Sequence, residues 1–179
     1  MPTGTYEHPL LGAVTFKTRS PTWVRGDAIT FTSGFDPATE VAEVFVPQLE
    51  KVRGANHGRF PFHVKGHGQL KAAFAEIERQ QLLPYITSFG GGFEPRLRRP
   101  TNGSVSKLPS NHAFGLAIDI NADDGSNGGS AKPLEPVFTK HGFLWGQVFN
   151  DPMHFEIRAS SLSRYGRHTP SNSRLLSQS

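Results

Sequence analysis

One short segment carries most of the information about the architecture: SNHAFGLAID at residues 110–119. Its second half belongs to an apolar run, residues 116–120, that is typical of a buried strand and is interrupted by a single acid, Asp119. Burying an ionised carboxylate is costly unless a cation or several hydrogen-bond donors compensate its charge. The acid in this run therefore indicates a bound cation or a full set of donors at Asp119.

Candidate partners for that cation lie on both sides of Asp119 in the chain. His112 precedes it in the same segment, and His154 ends the sequence DPMH at residues 151–154. Two imidazoles and one carboxylate are a recurrent ligand set for catalytic zinc, and a chain with no Cys must use such residues. Spacing alone leaves the alternative of a capping Asp and two unrelated histidines open.

The regions around these residues predict short strands and helices separated by loops. Pro152 disfavours the helical conformation for Asp151, so the DPMH segment is predicted to be a loop that leads into a strand. The Gly- and Arg-rich residues 90–103 predict a long loop. Apolar spacing and turn residues predict strands at 13–16, 28–31, 116–120 and 154–158, helices at 69–83 and 134–141, and a helix start at 36–37.

Length and composition favour one globular domain. The chain has 179 residues, 36% of them hydrophobic, with 14 Phe, which is enough apolar material for a core. The formal net charge is only +4, and no helical basic face is apparent, so we expect no nucleic-acid partner. No apolar run approaches the ~18 residues of a membrane span, so we expect none.

The two ends of the chain lead to further expectations. The N-terminus has no basic segment followed by an apolar one, so we expect a soluble protein without a signal peptide, made in the cytoplasm, or an excised domain. Residues 159–179 form a tail rich in Ser and Arg that contains no acids. Such a tail is either a frayed, solvated end or an adaptor for an anionic surface.

The order of these residues resembles a known signature. S-x-H-x-x-G-x-A-x-D at 110–119, followed by D-x-x-H at 151–154, is similar to the pattern of M15 zinc peptidases. That family includes VanY-type D-alanyl-D-alanine carboxypeptidases and phage L-alanyl-D-glutamate endolysins. The resemblance spans roughly residues 62–158 and includes GFEPR at 92–96, HGFLWG at 141–146 and MHFE at 153–156.

The resemblance implies a role for each matching residue. It makes His112, Asp119 and His154 the ligands of Zn²⁺. Asp151 becomes the catalytic carboxylate, which takes a proton from the attacking water and later returns it to the leaving amine. Arg96, in the loop that resembles the Arg-bearing loop of the family, would hold a carbonyl or carboxylate of the substrate.

Two further residues are candidates for contact with the substrate. The resemblance implies that Ser110 supports the site from its edge. Trp145 is a candidate for the core, the pocket wall or a substrate contact. Where this chain has Asp151, some family members have Glu, so the shorter side chain must act from a closer backbone.

The resemblance also implies the fold and the function. We expect an α+β fold in which one domain, residues 1–158, has a small antiparallel sheet that carries the zinc ligands, with helices packed on it. We expect a monomeric zinc peptidase that cuts peptidoglycan stem peptides at D-Ala-D-Ala or L-Ala-D-Glu, acting on the cell wall as a phage lysin or secreted effector. Two rivals remain: a non-catalytic zinc module of the same fold, as in hedgehog domains, and a nucleic-acid binder that uses residues 96–99 and the tail.

Overall fold

The structure, a computed structural model, describes residues 1–158. Over this range the chain has an α+β fold made of small antiparallel sheets and short helices, as expected. The tail predicted at 159–179 lies outside the described residues. Within residues 1–158, no helix is both long enough and apolar enough to cross a membrane.

The N-terminal layer is a three-stranded antiparallel sheet in the order β1-β2-β3, formed by β1 (Thr3–His8), β2 (Gly12–Thr18) and β3 (Ile29–Ser33). Every second residue of β2 from Val14 onward is buried, which is the alternation of a strand with one face on the core. The strands predicted at 13–16 and 28–31 are confirmed as β2 and β3, whereas β1 was not predicted.

A second, two-stranded sheet pairs β4 (Val41–Phe45) with β5 (Arg59–His63). The helix start predicted at 36–37 is confirmed, because Asp36 caps α1 (Pro37–Glu40). This helix is a single turn, since the chain becomes extended at Val41. Neither β4 nor β5 was predicted from the sequence.

The longest helix is α2 (His67–Arg79), which buries Leu70, Ala73, Phe74 and Ile77 on one face. The prediction of 69–83 was wrong at the C-terminal end, where Gln81 has a left-handed φ of 60°. The second predicted helix is α3 (Glu135–Lys140), slightly shorter than predicted and preceded by the 3-10 segment Gly129–Leu134.

The third sheet has the order β6-β8-β7, with β6 (Ala117–Asp119), β7 (Phe143–Trp145) and β8 (His154–Ile157), all antiparallel. Phe155 of the central strand packs against Phe138 of α3, with ring centroids 4.5 Å apart. Side chains alternate along a strand, so His154 and Glu156 lie on the opposite face from Phe155. The sheet thus has a helix on one face and polar side chains on the other.

Candidate active site

His112 lies in a 3-10 turn, Asn111–Phe114. Two other residues of the motif, Ser110 and Gly115, stabilise the two ends of this turn. The Ser110 hydroxyl caps the turn by accepting a hydrogen bond from the backbone N–H of His112 at 3.3 Å. Gly115 ends the turn with a φ of 65°, and a Cβ there would lie 2.8 Å from the backbone nitrogen of His63. The serine and glycine of the motif therefore stabilise the turn that carries His112, and a role of Ser110 in supporting the site stays a prediction.

Strand pairing brings Asp119 and His154 together although 35 residues separate them in the chain. Asp119 ends β6 and is the register partner of His154, which begins β8. Gly90 flanks Asp119: its N–H donates to the carbonyl of Asp119 at 2.8 Å, and a Cβ at Gly90 would lie 2.9 Å from the Asp119 Cβ. The Gly-rich loop therefore approaches the acid more closely than a side chain would allow.

Three atoms that could bind a metal ion, the converging donors, meet at this point. His112 Nε2 lies 3.1 Å from Asp119 Oδ1 and 3.2 Å from His154 Nδ1, and His154 Nδ1 lies 3.2 Å from Asp119 Oδ1. Within residues 1–158 these three form the one group of at least three His or acidic side chains whose candidate ligand atoms all lie within 4.8 Å of one another. Two imidazole nitrogens and one carboxylate oxygen match the donor set of catalytic zinc sites.

The charges of the group are strongly coupled. Burial alone would raise the pKa of Asp119, but hydrogen bonds from His112 and His154 outweigh it and hold the pKa well below its usual range. Burial would also lower the pKa of His154, yet Asp119 and Glu156 raise it to about 9. The pocket therefore strongly stabilises positive charge beside Asp119. A divalent cation would supply such a charge. The residues present fit such a cation.

Asp151 lies in the turn that leads into β8, adjacent to the group but not part of it. Its carbonyl accepts a hydrogen bond from His154 N–H at 3.0 Å, and its own N–H donates to Gly146 at 2.9 Å. Burial raises the pKa of Asp151, as does the nearby charge of Asp119. Asn127 supports the side chain, with Nδ2 3.5 Å from Asp151 Oδ1. A half-buried carboxylate with a raised pKa is typical of groups that exchange protons.

A cavity of about 750 Å³ opens over these residues and is bordered by Ser110, Asp119, Asp151 and His154. Arg96, from the loop at 90–103, lines it as well, together with Arg25, Arg98 and Arg99. Five of the predicted site residues thus border one cavity, and His112 joins them through its contacts with Asp119 and His154. Trp145 does not line this cavity.

Two of the predicted substrate residues have additional contacts within the protein. Arg96 Nε donates to Glu94 at 2.8 Å, and its side chain is only 12% exposed. Trp145 Nε1 donates to the carbonyl of Pro152 at 2.5 Å, and its ring stacks on Phe155 with centroids 6.3 Å apart. The contacts of Trp145 therefore support the turn that carries Asp151, and a contact with substrate stays a prediction.

Two further histidines lie outside the candidate site. His63 is fully buried at the end of β5, and His67 begins α2. Nε2 of His67 lies 3.0 Å from the carbonyl of Phe62. Gly66 and Gly68 do not prevent helix formation here, because Gly66 precedes the helix and Gly68 lies in its first turn.

The sequence did not predict the side chains that form hydrogen bonds to the site residues. Glu156 contacts His154, Asn111 contacts Glu156, and Asn127 contacts Asp151. Only Glu156 carried a local signal, since the spacing of two residues from His154 puts both on one face of a strand. The other two contacts depend on tertiary structure.

Comparison with known families finds one match, over the segment that contains the candidate site. Residues 104–157, less than a third of the chain, match the M15 family model described as D-alanyl-D-alanine carboxypeptidase. This match confirms the resemblance to M15 peptidases, and it covers all three converging donors and Asp151. Searches of curated proteins and of solved structures found no match for the chain.

Proposed function

We propose that this protein is a zinc-dependent peptidase that hydrolyses peptide bonds in peptidoglycan stem peptides. The observation that carries the proposal is the convergence of His112, Asp119 and His154 beside a cavity that Asp151 also borders. The match to the D-alanyl-D-alanine carboxypeptidase model supports the choice of peptidase chemistry and of a cell-wall substrate.

The three converging side chains would hold the zinc. When bound, zinc supplies Lewis acidity, which polarises a peptide carbonyl and makes water a nucleophile near neutral pH. Asp151, which borders the same cavity and has a raised pKa, would accept the proton of the attacking water. As the C–N bond breaks, the same carboxylate returns that proton to the leaving nitrogen, so one group acts first as base and then as acid.

Arg96 supplies a fixed positive charge at the cavity wall. Negative charge develops on the carbonyl oxygen as water adds to the peptide bond, and a preorganised cation stabilises it. Because Glu94 already contacts Arg96, the guanidinium is held in place before substrate arrives. A carboxylate of the stem peptide is an alternative partner for the same charge.

Digestion of purified muropeptides, with mass-spectrometric assignment of the cut bond, tests the proposal. We expect cleavage at one stem-peptide bond, its loss with a chelator, and its return with added zinc. We expect about one zinc per chain from the three-ligand set, and loss of that zinc in His112→Ala. His57→Asn is the matched control, because His57 is an exposed histidine outside the cavity.

Two results would contradict the proposal. Full zinc content in His112→Ala would remove the ligand assignment. Zinc binding by the wild type without cleavage of any stem peptide would instead favour the non-catalytic zinc module. Between these alternatives, Asp151 favours the enzyme, because a binding module has no need of a carboxylate beside the metal.

A further inference from the structure

Glu156 contacts Nε2 of His154, the ring nitrogen that is not among the converging atoms. Nε2 of His154 lies 3.0 Å from Glu156 Oε2. An ionised carboxylate only accepts hydrogen bonds, so the proton in this contact belongs to Nε2 of the imidazole. The ring therefore presents Nδ1 to His112 and Asp119, which is the nitrogen that converges with them.

The hydrogen bonds continue from Glu156 to the N-terminal sheet. Asn111 Nδ2 donates to Glu156 Oε2 at 2.6 Å, and the Asn111 Oδ1 lies 3.0 Å from His8 Nε2. The backbone N–H of Leu10 donates to His8 Nδ1 at 3.1 Å. A backbone N–H is always a donor, so His8 must carry its proton on Nε2 and donate to Asn111. Every donor and acceptor in the series therefore has a fixed role.

His8 is also held by packing next to the turn that carries His112. Its side chain is buried, and its ring lies 4.5 Å from that of Phe114, which belongs to the same 3-10 turn as His112. Burial lowers the pKa of His8, so the ring is neutral and has a single N–H to donate. The hairpin of β1 and β2 thus contacts the turn that carries His112 through both a hydrogen bond and a ring contact.

We infer that Glu156, Asn111 and His8 form a relay of hydrogen bonds that positions His154 as a metal ligand, so that the N-terminal hairpin completes the metal centre. The inference rests on the proposed zinc site. It assigns a function to one residue outside the matched segment 104–157, since His8 lies 103 residues before Asn111 in the chain. Glu156, Asn111 and His8 are positioning residues, because each acts through His154.

Zinc affinity of the full chain, measured by competition with a chromophoric chelator, tests the relay. Loss of a group that orients a metal-bound histidine lowers metal affinity by about 10–100-fold. We expect zinc affinity to fall by this factor in Glu156→Gln and by about 10-fold in His8→Phe. His8→Phe keeps a ring against Phe114 and removes both hydrogen bonds of His8.

Glu76→Gln is the matched control. Glu76 also binds a histidine, with Oε2 2.9 Å from His141 Nε2, and its side chain is only 11% exposed. It lies on α2, away from the cavity, so zinc affinity in this variant should equal that of the wild type. A second measurement is the ¹⁵N NMR spectrum of zinc-loaded protein, in which His154 should carry its proton on Nε2 and lose that strong hydrogen bond in Glu156→Gln.

The outcomes separate the relay from the proposed function. Wild-type zinc affinity in both Glu156→Gln and His8→Phe would overturn the relay and leave the peptidase proposal intact. Zinc binding without peptide cleavage, but with weaker binding in the two variants, would overturn the peptidase and support the relay. If Glu156→Gln does not fold, His8→Phe decides alone: unchanged affinity overturns the relay, and weaker affinity supports it.

Discussion

Two aspartates a few ångströms from the same histidine have opposite electrostatic environments. Asp119 receives hydrogen bonds from two imidazoles, which keep its pKa low and the carboxylate ionised. Within residues 1–158, the one hydrogen bond of the Asp151 side chain is with Asn127, at 3.5 Å, and burial raises its pKa. Neighbouring carboxylates whose pKa values are shifted apart are typical of sites in which one binds charge and the other moves protons.

This division of roles predicts the effect of Asp151→Asn. The amide keeps the shape of the side chain but cannot accept a proton, so zinc content and folding should be unchanged while turnover falls by about 10²–10⁴. Turnover of muropeptides and metal content, measured on the same preparation, check this. Asp36→Asn, at an exposed helix cap, is the control and should keep full turnover. Normal turnover in Asp151→Asn would show that another group takes the proton.

Arg96 differs from its neighbours in how firmly it is held. Its side chain is 12% exposed and donates through Nε to Glu94, whereas the side chain of Arg99 is 46% exposed. Burial would raise the pKa of Glu94, but Arg96 and Arg99 outweigh it and keep the pKa below its usual range. Glu94 therefore stays ionised and fixes the direction of Arg96.

A held guanidinium at a developing negative charge predicts a large kinetic effect. Arg96→Ala should lower kcat by about 10²–10³, as loss of one preorganised oxyanion donor does. Steady-state kinetics on a defined muropeptide measure it. Arg59→Ala, which removes a surface ion pair with Glu43, should behave as wild type. If Arg96→Ala kept full kcat, the charge would have to come from Arg98 or Arg99, which border the same cavity.

At the scale of elements, the loop at 123–130 is built around one carboxylate. Asp124 accepts hydrogen bonds from the backbone N–H groups of Ser126, Gly128 and Ser130, which hold its pKa well below the usual range. The loop carries Asn127, which contacts Asp151. At Gly128 it packs so closely on the turn that precedes β8 that a Cβ would lie 2.3 Å from the Cα of Met153. The loop thus contacts both Asp151 and Met153, two residues further along the chain.

Two glycines of this loop make a matched pair of variants. Gly125 and Gly128 both have left-handed φ, of 79° and 87°, but a Cβ at Gly125 meets nothing within 4 Å. Gly125→Ala should therefore cost only the conformational strain, about 1–2 kcal/mol. Gly128→Ala should cost a further ~1–3 kcal/mol, because the backbone of Met153 must move. Denaturant unfolding measures both, and equal losses would contradict the packing argument.

How far the sequence predicts an element depends on where its stabilising contacts lie. The buried strand predicted at 116–120 and the helix predicted at 69–83 are specified by local apolar patterns, and both were predicted with errors only at their ends. Strands β1, β4, β5 and β7 were missed. The inward positions of β1 are Gly4, Tyr6 and His8, which show no apolar alternation, and β7 has only three residues. β4 and β5 depend on each other across an irregular connection. Periodicity within a short window contains no such information.

The same distinction applies to the candidate site. Its three converging side chains and Asp151 lie within the segment 104–157, and the resemblance to the M15 signature predicted that His112, Asp119 and His154 would meet. The contact between His8 and Asn111 spans 103 residues, and nothing near His8 in the chain indicates it. The three converging side chains are thus more predictable from the sequence than the side chains that form hydrogen bonds to them from distant parts of the chain.

At the scale of the whole molecule, the carboxylate of Glu76 links the longest helix, α2, to the end of α3. Glu76 of α2 accepts hydrogen bonds from Lys140 Nζ at 2.6 and 2.9 Å and from His141 Nε2 at 2.9 Å, at the end of α3. These partners, Lys140 first, lower the pKa of Glu76 to about 2. Since α3 packs on β8 through Phe138, this contact connects the helices to the sheet that carries His154.

The lowered pKa of Glu76 predicts how stability depends on pH. In the unfolded chain its pKa is about 4.3, so the contribution of this group is complete above that pH and is lost as the pH falls toward about 2, where the folded form protonates. Glu76→Gln should therefore lower the urea midpoint at pH 7 and reduce its decline between pH 5 and pH 2. Glu43→Gln, at an exposed ion pair with Arg59, should leave that decline as in the wild type. An equally steep decline in Glu76→Gln would mean that other carboxylates account for the acid sensitivity.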